Sequence, residues 1–213
     1  MIALAKPIFN QDIIFILLSV SFLLLAVLRS AYWKHAKLLL MGVFAQRYAN
    51  QFLREENAFT ERVSFLTFTL MVINFSVIIL KLIPKSSIID VFYIIAGVVL
   101  FFLSKIIVMR ILGHIFKVKD VAKLGVFFSL LFDRSLGVFL FPFIVVLYFF
   151  SVEISAVVLI AIAVIFIVLL VIKLFWLWKI GTNVFGFSQL YIFLYLCALE
   201  ISPLLLLGKG VVY

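Results

Sequence analysis

The chain has 213 residues, of which 68% are hydrophobic and 13% charged. An ordinary soluble domain is about half apolar and about a quarter charged, so too few polar residues remain to cover a water-facing surface, and the composition excludes a soluble globular domain in favour of one solvated by lipid. Eighteen Lys and Arg against nine Asp and Glu give a net charge of +9, which in such a chain is first a guide to orientation and second an affinity for anionic headgroups; no nucleic-acid partner is expected.

A helical span needs about 20 apolar residues. The first candidate, 13–28, has Asp12 before it and Arg29, Lys34 and Lys37 after it. That order of charges is the reverse of a cleavable signal peptide, so the segment reads as an anchor. It is short, and Tyr32 and Trp33 complete it at the interface. Over about 30–58, Leu40, Phe44, Tyr48 and Phe52 recur every fourth residue, while Arg47, Asn50, Gln51 and Arg54 fall elsewhere. This pattern predicts one amphipathic cytoplasmic helix, lying among headgroups or against a partner. Thr60, followed by Glu61 and Arg62, reads as the N-cap that restarts a helix into the second span, 63–83.

The third span is 88–109. The apolar stretch 124–132 is too short to cross, which predicts an interfacial or re-entrant helix leading into a fourth span at 135–150, with Asp133 and Arg134 at the cytoplasmic boundary. Adjacent residues of a helix point about 100° apart, so these two do not simply pair with each other. Lys105 and Arg110, like Lys173, read as boundary cations whose stems extend to the headgroups. The fifth and sixth spans are 155–172 and 188–207, with "GTNVFG" between them as a turn. Placing the N-terminus outside puts 14 basic residues in cytoplasmic segments and leaves only Lys6, Lys81, Lys85 and Lys209 outside. The fold class is therefore all-α, a single polytopic transmembrane domain over 1–213, with both termini periplasmic.

Within the sixth span, "YIFLYLCALEISPLLLL", one acid stands in an apolar run. A carboxylate at that depth costs roughly 2.5–3.5 kcal/mol on insertion scales, so Glu200 should face protein. Helical spacing puts Phe193, Cys197, Glu200 and Leu204 on one side. Pro203 lacks the N–H that would bond the carbonyl of Leu199, which favours polar partners nearby. Candidates at similar depth are Asn74 and Ser76 in the second span and the backbone opened by Pro142 in the fourth. The expectation is a neutral Glu200 donating a hydrogen bond, either as a register pin for the sixth helix or as a proton or cation site.

Chemistry-bearing motifs are sparse. His35 and His114 lack a second ligand at metal spacing, so no metal is expected. Neither histidine lies deep enough for haem, and no cofactor is implied. No Ser, His and Asp residues stand in a spacing that identifies a catalytic set on one side of the membrane. The lone Cys197 cannot form an intramolecular disulfide.

Two stretches carry a resemblance. "FGFSQLYIFLYLCALEISPLLLL", residues 185–207, resembles the C-terminal signature of a family of polytopic inner-membrane proteins of Bacteroidota, domain-of-unknown-function family 4271, and "LLFDRSLGVFLFPF", residues 130–143, is similar to its central element. The resemblance implies a bacterial inner membrane and six spans, makes Glu200 and Pro203 typical of the family, and assigns no activity. The family often has Asn where this chain has Asp133, so the resemblance implies no general role for a charge there. The expected function is a non-enzymatic membrane component of an envelope or secretion assembly, with anionic lipid headgroups and a protein partner or second copy as its contacts. The alternative is a small proton- or cation-coupled transporter or channel using Glu200.

Overall fold

The computed structural model describes residues 9–55, 57–82, 88–115, 119–149 and 152–183. Among them are seven helices and no strand: α1 (Phe9–Ala31), α2 (Trp33–Gly42), α3 (Gln46–Arg54), α4 (Ala58–Leu82), α5 (Ile88–Ile115), α6 (Lys119–Phe149) and α7 (Val152–Asn183). The fold is an all-α bundle, and five of its helices, α1, α4, α5, α6 and α7, are long and apolar enough to cross a membrane. Backbone groups in hydrocarbon must be bonded within their own segment, which is why long apolar runs settle as helices. The expected sixth span, 188–207, lies outside the described residues.

The central pair is α4 and α6. Half of the most apolar window of each is buried, against 17–22% for α1, α5 and α7. Lipid tails are as apolar as Leu, so helices in a membrane are drawn together by close packing and by polar contacts rather than by escape from water. Both operate here. A Cβ on Gly137 of α6 would lie 2.6 Å from the Cα of Met71 on α4, so the two backbones touch where glycine permits it. At the same level the Asn74 side-chain amide donates to the Gly137 carbonyl at 2.7 Å. Further along, the Tyr148 hydroxyl donates to the Val77 carbonyl at 2.8 Å. Leu18 of α1, Ile73 and Val77 of α4, and Leu140 and Ile144 of α6 belong to one buried cluster around this seam.

In place of one helix over 30–58, the chain forms a short hairpin of α2 and α3. Gly42 ends α2 where a Cβ would meet the Ala49 Cβ at 3.2 Å and the Leu131 side chain at 3.1 Å, so α2, α3 and α6 converge on a small residue. The turn side reaches along α6, where Phe44 meets Phe139 edge-on and Phe52 stacks on Phe127. At the open end His35 lies 3.7 Å from Glu55 and stacks on Phe59, while Arg62 donates to the Tyr32 hydroxyl. The hairpin thus covers the 124–132 stretch of α6. With that cover, α6 runs unbroken from Lys119 to Phe149, about 46 Å at 1.5 Å per residue. The stretch is part of the fourth membrane helix and no separate interfacial element.

The start of α4 also differs from expectation. Asn57 is the N-cap: its Oδ1 accepts from the backbone N–H groups of Phe59 and Thr60, and the Thr60 hydroxyl oxygen accepts from the Asn57 N–H in return. That is a capping box with Thr in place of the usual Glu at the third helical position.

Candidate functional site

Asp133 sits in the interior of α6, about 21 Å from its first residue by helical rise. Its side chain turns toward α5 and α7, each of which brings one lysine. Lys173 Nζ donates to Oδ1 at 2.7 Å and Lys105 Nζ to Oδ2 at 3.2 Å, so each carboxylate oxygen takes one ammonium. The side chains of Lys105, Asp133 and Lys173 are 8%, 17% and 5% exposed. Charges this far out of water cost several kcal/mol each unless geometry and hydrogen bonding compensate, and the bridging arrangement does so by tying three helices to one carboxylate. Lys105 and Lys173 each make further interactions besides those with Asp133.

Helix geometry explains how the three meet. Lys105 lies about 15 Å before the last residue of α5, and Lys173 about 15 Å before the last residue of α7. Both helices run opposite to α6, so the two cations arrive at the level of Asp133 from either side. Beside the cluster is a cavity of about 330 Å³ between α4, α5, α6 and α7, walled by apolar side chains including Phe75, Phe102, Phe132 and Phe166, with Lys105, Asp133 and Lys173 as its ionic members. A smaller one of about 220 Å³ lies between α1, α2, α4 and α6, with Arg29 at its wall beneath the Trp33 ring, 3.9 Å away.

The other residues singled out in the sequence are placed apart from this cluster. Arg134, next to Asp133 in sequence, makes no hydrogen bond to that carboxylate, and its Nε is buried with no hydrogen-bond partner among the described residues. Arg110 is exposed near the end of α5. Asn74 holds the α4–α6 seam and its Oδ1 accepts nothing among the described residues. Ser76 donates to the carbonyl of Val72 in its own helix, and Pro142 is exposed within a continuous α6. Glu200 and Pro203 lie outside the described residues. By sequence alone Lys105, Asp133 and Lys173 are boundary charges with nothing to join them. The signal that joins them is one acid and two bases, each within a long apolar run, at matching depth in three successive antiparallel helices.

Among the described residues no three His, Cys, Asp or Glu side chains gather where a metal ion would be held. The ionic cluster offers a carboxylate already bridged by two cations. It is suited to clasping helices, or to passing charge if one of its bonds is exchanged for another.

No curated protein and no solved structure matches the chain. The family model described as a domain of unknown function, 4271, matches residues 14–211, nearly the whole length. The chain therefore belongs to that family, as the resemblance of residues 130–143 and 185–207 indicated.

Proposed function

We propose that the protein is a non-enzymatic, multi-pass component of a bacterial inner membrane, with both termini periplasmic, that serves an envelope or secretion assembly as a docking subunit. The α2–α3 hairpin supports this reading. It is held to α6 by the Gly42 contact and the Phe52–Phe127 stack, yet Arg47, Asn50, Gln51 and Arg54 of α3 are exposed. Trp33, Met41 and Phe44 are exposed beside them, at 42%, 38% and 66%. Aromatic residues, Met and Arg on a fixed support are the composition of protein interfaces. The excess of basic residues on the segments assigned to the cytoplasm also supports the orientation, and it suits contact with anionic headgroups.

The test is purification of the intact protein in mild detergent. A partner at fixed stoichiometry, or a second copy, is expected, and it should be lost when Arg47→Glu and Arg54→Glu are combined without change in the thermal unfolding of the bundle. A lone monomer carrying only lipid would end this reading.

A second reading, coupled transport of a proton or cation, is favoured by the cavity that abuts three ionised side chains inside the membrane helices. Under it, Glu200→Gln keeps hydrogen bonding but cannot titrate, so pH-dependent flux into proteoliposomes should vanish. Under the docking reading, partner binding survives that change.

A further inference from the structure

We propose that the cleft between α1, α2, α4 and α6 is the seat of one anionic phospholipid, its phosphate held by Arg29 and Lys37 and one acyl chain lying in the cleft. The seat shares no residue with the Lys105, Asp133 and Lys173 cavity and uses neither Arg47 nor Arg54 of the docking surface. It rests on the membrane reading of the fold and not on the docking of a protein.

Depth places the headgroup. Arg29 stands two residues before the end of the apolar span Asp12–Ala31, at the level where headgroup phosphates lie. The chain then turns at Tyr32 into α2, and the Trp33 ring centre comes to 3.9 Å from the Arg29 guanidinium carbon. Packing on an indole uses the face of a guanidinium and leaves its N–H edge to bond in the plane. Lys37, one helical turn after Trp33, falls on the same side of α2. Arg29 and Lys37 are exposed, and among the described residues no carboxylate bonds either of them. Two cations with no acid between them favour a headgroup of net negative charge over a zwitterionic one, and a guanidinium can hold two phosphate oxygens side by side.

The cleft supplies the other half of the site. Besides Arg29 and Trp33 it is lined by Leu25, Leu28, Ala36, Leu40, Thr67 and Val138, around a volume of about 220 Å³. The one hydroxyl in that lining is already committed within α4, where Thr67 donates to the Val63 carbonyl at 2.7 Å. Pockets that enclose a whole small molecule run to about 300–1,000 Å³, so this one suits a stretch of acyl chain that continues into the bilayer. A free phosphate would satisfy the two cations and gain nothing from the apolar lining. A diacyl lipid uses both, and in doing so ties α2 to α1.

Trp33 supplies the probe once the other indoles are removed as Trp176→Phe and Trp178→Phe. The full-length protein is reconstituted in phosphatidylcholine vesicles carrying a rising fraction of phosphatidylglycerol with brominated acyl chains, which quench an indole they touch. The midpoint of the quenching curve is read, since its amplitude also reflects the Arg29 contact. Quenching should saturate at a low fraction of this lipid, whereas brominated phosphatidylcholine should quench in simple proportion to its amount. Arg29→Gln should weaken the apparent affinity about fivefold, the worth of one cation at an anionic membrane surface, and Arg47→Gln on α3 should leave it unchanged. Leu25→Phe, which keeps every charge and narrows the cleft, should weaken it too, and inorganic phosphate in large excess should not relieve the quenching. With all three tryptophans in place, native mass spectrometry from nanodiscs should show one phosphatidylglycerol retained per chain and lost with Arg29→Gln. Equal midpoints for the two lipids, an equal shift with Arg47→Gln, indifference to Leu25→Phe, relief by inorganic phosphate, or a chain that retains no lipid overturns the proposal. None of these readouts needs a protein partner, so loss of a partner from the Arg47→Glu, Arg54→Glu variant bears on the docking role alone.

Discussion

The α2–α3 hairpin and the helix it leans on treat polar residues in opposite ways. In the hairpin the chain breaks at Gly42, and the polar side chains Arg47, Asn50, Gln51 and Arg54 turn outward, exposed and individually cheap. In α6 the chain continues through Asp133 and Arg134, because the carboxylate finds two cations on neighbouring helices. Local sequence decides the first region. Partners more than 25 residues away decide the second. A polar residue therefore marks a boundary only where nothing across the bundle answers it.

The strongest way to break that contrast is to remove the answer. Asp133→Ala leaves two lysines facing each other across a cavity among membrane helices, and taking one partner from a buried ion pair costs about 3–5 kcal/mol. The unfolding temperature in detergent, followed by intrinsic Trp fluorescence, should fall more for this change than for any other single one considered. Replacing all three residues together, as Asp133→Leu with Lys105→Met and Lys173→Met, should recover much of the loss, since a well-packed apolar triad needs no compensation. If Asp133→Ala were silent, the cluster would not be what keeps α6 continuous.

How far the fold could be read from sequence follows from the same contrast. The five described spans are legible because each is a long apolar run, and lipid leaves such a run no other structure. Asn74 is legible as a buried polar group seeking a partner, although its partner, the Gly137 carbonyl, is backbone and leaves no mark on composition. The hairpin is half legible: the every-fourth apolar pattern persists across the break, and Gly42, the lone glycine in 30–62, is the one local sign of it. The N-cap stands three residues before the one the sequence suggests, because Thr60 and Asn57 are both capping residues and only the reciprocal bonds show which of them comes first. The ion cluster shows in the sequence only as separate charges. Pairing across helices depends on relative depth, and depth becomes available only once α6 is known to start at Lys119 and not near Ser135.

The same substitution at two glycines sharpens the comparison at smaller scale. At Gly137 an added Cβ meets the Met71 backbone at 2.6 Å, and backbone in the centre of α4 has nowhere to go without opening the seam. Gly137→Ala should therefore destabilise by about 1–3 kcal/mol even after its gain in helix propensity. It should also disturb the Asn74 bond to that carbonyl. Comparing Gly137→Ala with and without Asn74→Leu checks this, because the two costs should not add.

Gly42→Ala is the smallest of these effects. Alanine in a helix is favoured over glycine by up to about 1 kcal/mol. Against that gain, the new methyl would stand 3.1 Å from the Leu131 Cδ1, a side-chain tip that can rotate, and 3.2 Å from the Ala49 Cβ, which moves only if α3 moves with it. The two contributions nearly cancel in global stability, so the unfolding temperature should stay close to that of the parent. The change should appear locally instead, as faster amide exchange in α3 as it lifts from α6 and the Phe52–Phe127 stack loosens. A drop as large as that of Gly137→Ala would mean that the hairpin is built into the bundle as firmly as α4. Its exposed face would then be a rigid part of the core assembly, and the distinction between a locally broken region and a tertiary-held one would fail at its own hinge.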